Sequence, residues 1–176
     1  AVAIFMVVAA MVCSRSQARY WHDSITLLEH AIEAAPGSPD VHYNLAISYR
    51  KQENLDDALD HYCKVLDIDP HYAEAHNNLG LLLEGQGEVE LAIGHYREAT
   101  RLKDRDARSR FNLGNALLAV KQVGEALTHL NAAIRLDSNW PDPLNRVAWL
   151  RATHTDSQIR IPSEAVRLAQ RADALT

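Results

Sequence analysis

The sequence predicts an all-α solenoid built from helix-turn-helix repeats, and three observations predict it. Asn44, Asn78 and Asn112 recur at an interval of 34 residues, each followed by leucine and then a small residue. The segments 39–69, 73–103 and 107–137 each hold two apolar-periodic stretches of about a dozen residues, split by a short polar link. Small residues keep the same places: Ala46, Gly80 and Gly114 in the first stretch, Ala58, Ala92 and Ala126 in the second. Tyr62, Tyr96 and Leu130 follow those alanines four residues later on the same helical face, which Val65, Ala99 and Ala133 complete.

Helices of this length are marginal alone and gain their stability from packing. Small residues let two helices approach, and the large Tyr and Leu neighbours fill the space between repeats. Each repeat then touches only its neighbours, which gives a curved array.

The elements follow in order. Ala1–Cys13 is uncharged, but its thirteen residues are fewer than the roughly 20 that span a bilayer. The chain starts at Ala rather than Met, so residues 1–19 read as the end of a transmembrane helix, with Arg15, Arg19 and the Tyr20-Trp21 pair at the interface. A buried first helix of the array and a signal-peptide core are the alternatives. Residues 20–36 read as the second helix of a partial repeat. Full repeats are expected at 39–70, 73–104 and 107–138. The first opens on Ser38 as N-cap with Pro39 at the first helical position, and Pro70 ends it. Residues 141–176 read as a degenerate repeat or cap, whose loop around His154–Ile161 carries extra residues and in which Arg146 stands where a fourth Asn would fall.

Composition narrows the function classes. A 47% hydrophobic chain with 7 Gly and 6 Pro is neither disordered nor fibrous. A net charge of −5 argues against nucleic acid as a partner. Cys13 and Cys63 form neither a disulfide framework nor a CxxC metal signature.

The pattern Asn-Leu-Gly, then Ala, Tyr, Ala and Pro at a period of 34 resembles the tetratricopeptide repeat, over roughly residues 20–176. His42, His76 and Arg110 stand where that family often has a large aromatic, and Asp104 and Ser138 replace its terminal proline. The resemblance implies a right-handed solenoid whose first helices line a concave, protein-binding face. It would carry Asn44, Asn78 and Asn112 there, beside Tyr43, Asn77, Ile47, Leu81 and Asn115. A carboxamide offers donors and an acceptor and can pair with a partner's backbone whatever its side chains. With helices about 8–10 Å apart and an extended peptide rising about 3.3 Å per residue, one amide meets roughly every third peptide residue. This row resembles the asparagine ladder of O-linked N-acetylglucosamine transferases. The alternative is that the amides brace neighbouring repeats or face water.

The stretches YWHDSITLLEHAI and AWLRATHTDSQIR are also similar to C-terminal tetratricopeptide arrays of bacterial polytopic membrane proteins, often glycosyltransferase-like. That similarity implies any catalytic part lies outside this chain.

Other chemistry is thinly signalled. His61, His95 and His129 recur at 34 residues, but whole repeats separate them, and a metal needs ligands about 2.0–2.1 Å from one centre. They and His42 and His76 read as packing or surface residues. Gly80 to Gln86 lacks the Lys and Ser/Thr of a phosphate loop, and Gly85-Gln86-Gly87 reads as an inter-helix turn. Cys63 reads as a half-buried thiol. The runs Glu53–Asp60 and Arg101–Arg110 read as solvated faces, or as groove ends that orient a peptide.

The sequence therefore predicts a membrane-tethered scaffold that binds a protein or peptide, without enzymatic activity, metal or cofactor in this chain. The alternatives are the substrate-recruiting part of a membrane glycosyltransferase and a structural assembly subunit. A bacterial, membrane-associated protein is expected. The arginines after the apolar segment favour a cytoplasmic array, the bacterial similarity an extracytoplasmic one, with the second slightly favoured.

Overall fold

The computed structural model describes residues 24–175. The readings for residues 1–19, the transmembrane one included, lie outside the described residues. Among the described residues there is no strand, and no helix is long and apolar enough to cross a membrane.

The helices are α1 (Ser24–Ala34), α2 (Pro39–Lys51), α3 (Leu55–Ile68), α4 (Ala73–Gly85), α5 (Val89–Leu102), α6 (Ala107–Ala119), α7 (Val123–Leu136), α8 (Pro141–Thr153) and α9 (Pro162–Asp173). One compact unit ends at His71 and holds α1–α3; a second begins at Tyr72 and holds α4–α9. In the first unit, α2 pairs with α3 and α1 packs on α2. In the second, the hairpins α4–α5, α6–α7 and α8–α9 stack in chain order, α5 against α6 and α7 against α8, and the first helices α4 and α6 also meet.

The periodic small residues lie where the helices cross. Ala58, Ala92 and Ala126 are fully buried, as are Tyr62, Tyr96 and Leu130 one turn on. A Cβ placed on Gly80 would sit 2.7 Å from the Tyr96 ring, and one on Gly114 would sit 2.7 Å from Leu130 Cγ. Ala92, Ile93 and Tyr96 of α5 join Leu113, Ala116 and Leu117 of α6 and Ala126 of α7 in one apolar cluster. Leu127 and Leu130 join Leu144, Val147, Leu150 and Leu168 in the next.

Turn chemistry departs from what the residue types signal. In the hairpins α2–α3, α4–α5 and α6–α7 the turn between helices holds one residue in the left-handed region: Glu53 (φ 61°), Gly87 (φ 87°) and Lys121 (φ 63°). These three are 34 residues apart. The next N–H in each turn reaches back five residues, Asn54 to the Tyr49 carbonyl, Glu88 to Leu83 and Gln122 to Leu117, at 2.9–3.0 Å. This is the helix-ending arrangement that glycine serves best, yet only the middle turn has glycine. Replacing Glu53 or Lys121 with glycine should each raise stability by about 0.5–1 kcal/mol, and Gly87→Ala should lower it by about as much, measured by chemical denaturation.

Ser38 occupies the N-cap of α2 ahead of Pro39 but makes no capping side-chain bond. Asp106 does cap α6, accepting from the Ser109 N–H at 3.0 Å. The loop from His154 to Ile161 is tied to α8, where the Ile161 N–H donates to the Arg151 carbonyl at 2.8 Å and Arg151 Nη1 donates to the Ile159 carbonyl at 3.0 Å.

Candidate functional site

The first helices α2, α4, α6 and α8 carry the candidate binding residues. In the first unit, Asn44 is exposed on α2, and its carbonyl accepts from the Ser48 hydroxyl at 2.9 Å. Tyr43 and Ile47 are half-buried beside it, and the Tyr43 ring leans on Tyr62 with centres 5.9 Å apart.

In the second unit, Asn77, Asn78 and Leu81 are half-buried on α4, and Asn112 and Asn115 on α6. Asn112 Nδ2 donates to Asn77 Oδ1 at 2.9 Å, so one amide of the row braces two neighbouring first helices. That bond still leaves the second Nδ2 hydrogen and Oδ1 of Asn112 available. Asn115 Oδ1 is buried with no hydrogen-bond partner, an acceptor that costs free energy until something fills it. Asn78 is engaged within the fold.

The same face continues onto α8, where the residue types change. Phe111, Asp142, Asn145, Arg146 and Trp149 line an open cavity of about 330 Å³. Trp149 is 60% exposed, so its indole presents a large apolar surface to solvent. Phe111 and Asn145 extend the Tyr43–Asn77 row by 34-residue steps, Arg146 extends the Asn44–Asn78–Asn112 row, and Trp149 extends the Ile47–Leu81–Asn115 row. The sequence reading placed Arg146 where a fourth Asn would fall; counting the other two rows on by 34 reaches Phe111, Asn145 and Trp149. Asp142 Oδ2 accepts from the Trp140 indole at 3.1 Å, and the Trp140 ring leans on Phe111 with centres 4.7 Å apart.

The histidines group differently from the sequence reading. His42 of α2 meets His61 of α3 with their Nδ1 atoms 2.9 Å apart, and His76 of α4 meets His95 of α5 at 3.0 Å. In the third hairpin Arg110 occupies the matching place, and His129 Nδ1 is buried without a partner. Burial pulls His61, His95 and His129 below the ordinary imidazole range, with nearby cations and imidazoles adding to it. Among the described residues no three metal-ligating groups converge. Cys63 is half-buried and free, and burial pushes its thiol up, away from the nucleophilic thiolate.

Comparison with known proteins agrees on the family. Three tetratricopeptide-repeat models match residues 27–60, 48–87 and 77–143. The chain belongs to the tetratricopeptide-repeat family. No curated protein sequence matches it. Among solved structures, a crystal structure of MamA superposes with a TM-score of 0.75 at 19% identity, covering 92% of this chain and 91% of that one. MamA 41-end from Desulfovibrio magneticus RS-1 gives 0.75 at 16% identity, with 94% of each chain covered. YrrB, described as a tetratricopeptide-repeat protein with an unusual peptide-binding site, gives 0.71 at 19% identity, covering 92% of this chain and 80% of that one. These likenesses establish the shared fold.

Proposed function

We propose that the chain is a protein-interaction scaffold that captures a partner polypeptide on the first-helix face, and that its apolar N-terminal segment tethers it to a membrane. The observation that carries the reading is the graded face of the second unit. Asn78 and Asn112 provide carboxamides suited to backbone pairing. Their row ends in Arg146, which with Phe111, Asn145 and Trp149 of the flanking rows lines an open cavity. Trp and Arg are the residues that most often dominate binding energy at such surfaces. Amides gripping the backbone supply affinity with little sequence demand; the α8 cavity supplies selectivity by accepting an apolar side chain beside Arg146. The peptide-binding site named for YrrB is consistent with this use of the fold. The tether places capture at a membrane surface, with the array on its extracytoplasmic side.

The test is selection of binders from a random peptide library on the chain, followed by fluorescence anisotropy with variants of unchanged helicity. Asn78→Ala with Asn112→Ala should weaken binding about 30-fold, at about 1 kcal/mol per lost amide bond. Trp149→Ala should cost a similar factor or more. Unchanged affinity in both would assign these amides to bracing alone and remove this face from binding.

A further inference from the structure

We propose that the two histidine pairs are proton-operated latches, which hold the α2–α3 and α4–α5 hairpins closed at neutral pH and loosen them in acid. The geometry is that of a shared proton. In each pair the ring centres are 5.2 Å apart and the Nδ1 atoms 2.9 or 3.0 Å apart. The excess over the nitrogen separation is about two ring radii, so each Nδ1 points at the other along the line of centres. A metal chelate would instead need both lone pairs turned toward a third point.

One hydrogen fits between those nitrogens, and two do not. In the first pair the tautomers follow from the surroundings. His42 Nε2 lies 3.3 Å from the Pro36 carbonyl and donates to it, so His42 Nδ1 accepts and His61 Nδ1 donates. A first added proton is tolerated as a charge-assisted N–H···N bond. A second puts two N–H groups and two charges head to head, with no acceptor between them.

The neighbours do little to accommodate that second charge. Around His61 stand Asp57, Asp60 and Lys64 on α3, and Lys64 is already paired to Asp60. From α2, the Tyr49 ring stacks on His61, and its hydroxyl donates to Glu29 of α1. Around His95, among the described residues, the titratable group that bears on it is His76. Arg110 of α6 acts on His129, where the third hairpin carries a fixed cation in place of the latch. Because the folded state disfavours protonation of His61 and His95, the unfolded state binds more protons. Stability therefore holds above the unfolded value of 6.5 and falls as the pH drops below it.

His42 and His76 directly precede Tyr43 and Asn77 of the binding face, so opening a latch shifts that face. This consequence for capture rests on the function proposed above, whereas the latch itself can be tested with no ligand present. Histidine-resolved NMR titration of the 176-residue chain should show His61 and His95 taking up their protons below the ordinary imidazole range. Protonation of His61 and His95 within the ordinary imidazole range would overturn the proposal. His61→Gln with His95→Gln keeps a hydrogen-bonding side chain that does not titrate. Between pH 7.5 and 5.0 the unfolding midpoint of the unaltered chain should fall further than that of this variant. Equal losses would overturn the latch, and if the variant does not fold, the NMR titration decides alone.

Discussion

Tyr96→Ala should destabilise the second unit by about 3–5 kcal/mol, the largest loss expected from any single side chain in the α4–α5 hairpin. The ring is fully buried, lies against Gly80 of the paired helix, and joins the cluster formed with Leu113, Ala116 and Leu117 of α6. Its truncation therefore opens a cavity on both sides of α5, within the hairpin and between hairpins. The hydroxyl contributes less. It donates to Glu84 Oε2 at 2.8 Å, and burial together with that bond raises its pKa, keeping it protonated. Tyr96→Phe should accordingly cost about 1 kcal/mol. Urea denaturation followed by circular dichroism measures both, and a loss below about 2 kcal/mol for the alanine variant would mean that the neighbouring helices collapse into the space. Repeat stability rests on nearest-neighbour interfaces, so the loss should appear as earlier unfolding of α4–α7 rather than as uniform softening.

How much of this was legible in the sequence varies with the physics of each feature. The helical character and the crossing residues were legible because they are set by neighbours at fixed spacing. Ala58, Ala92 and Ala126 repeat a packing solution, and repetition reveals it. The left-handed residues in the turns were not legible, since Glu53 and Lys121 carry none of the chemistry that usually marks that conformation. The hairpin geometry imposes it on them at the cost of some strain. The histidine pairs were missed because their partners lie 19 residues apart, on opposite helices of one hairpin, while the visible interval ran along the array instead. On the candidate site, the row of equal residues drew the eye, Arg146 was placed at its end without a binding role, and Phe111, Asn145 and Trp149 were not reached. Asn44, Asn78 and Asn112 were found by their sameness, whereas Trp149 occupies a continuing position with different chemistry. Pairing between side chains, such as Asn112 with Asn77, needs the helices placed before it can be seen.

Gly80→Leu and Gly114→Leu should each destabilise the second unit by about 1–3 kcal/mol or more, and the cause can be separated from helix propensity. Leucine is the better helix former by somewhat under about 1 kcal/mol, so propensity alone predicts a gain. Sterics predict the opposite. Even a Cβ on Gly80 would reach 2.7 Å from the Tyr96 ring, which Glu84 anchors through the hydroxyl. At Gly114 the obstacle is Leu130 Cγ at 2.7 Å together with the backbone carbonyl of Ala126 at 3.3 Å, which cannot swing aside as a side chain can. The difference gives a decisive double-mutant cycle. Combined with Tyr96→Ala, Gly80→Leu should cost far less than the sum of the single changes, because the new side chain enters the space the ring has left. Combined with Leu130→Ala, Gly114→Leu should recover less, because the carbonyl remains. Additivity at Gly80 would show that the glycine serves the helix backbone rather than the ring. A large coupling there and a smaller one at Gly114 would show that each hairpin is closed by its own pairing of a small residue with a large one, solved with tyrosine in one repeat and leucine in the next.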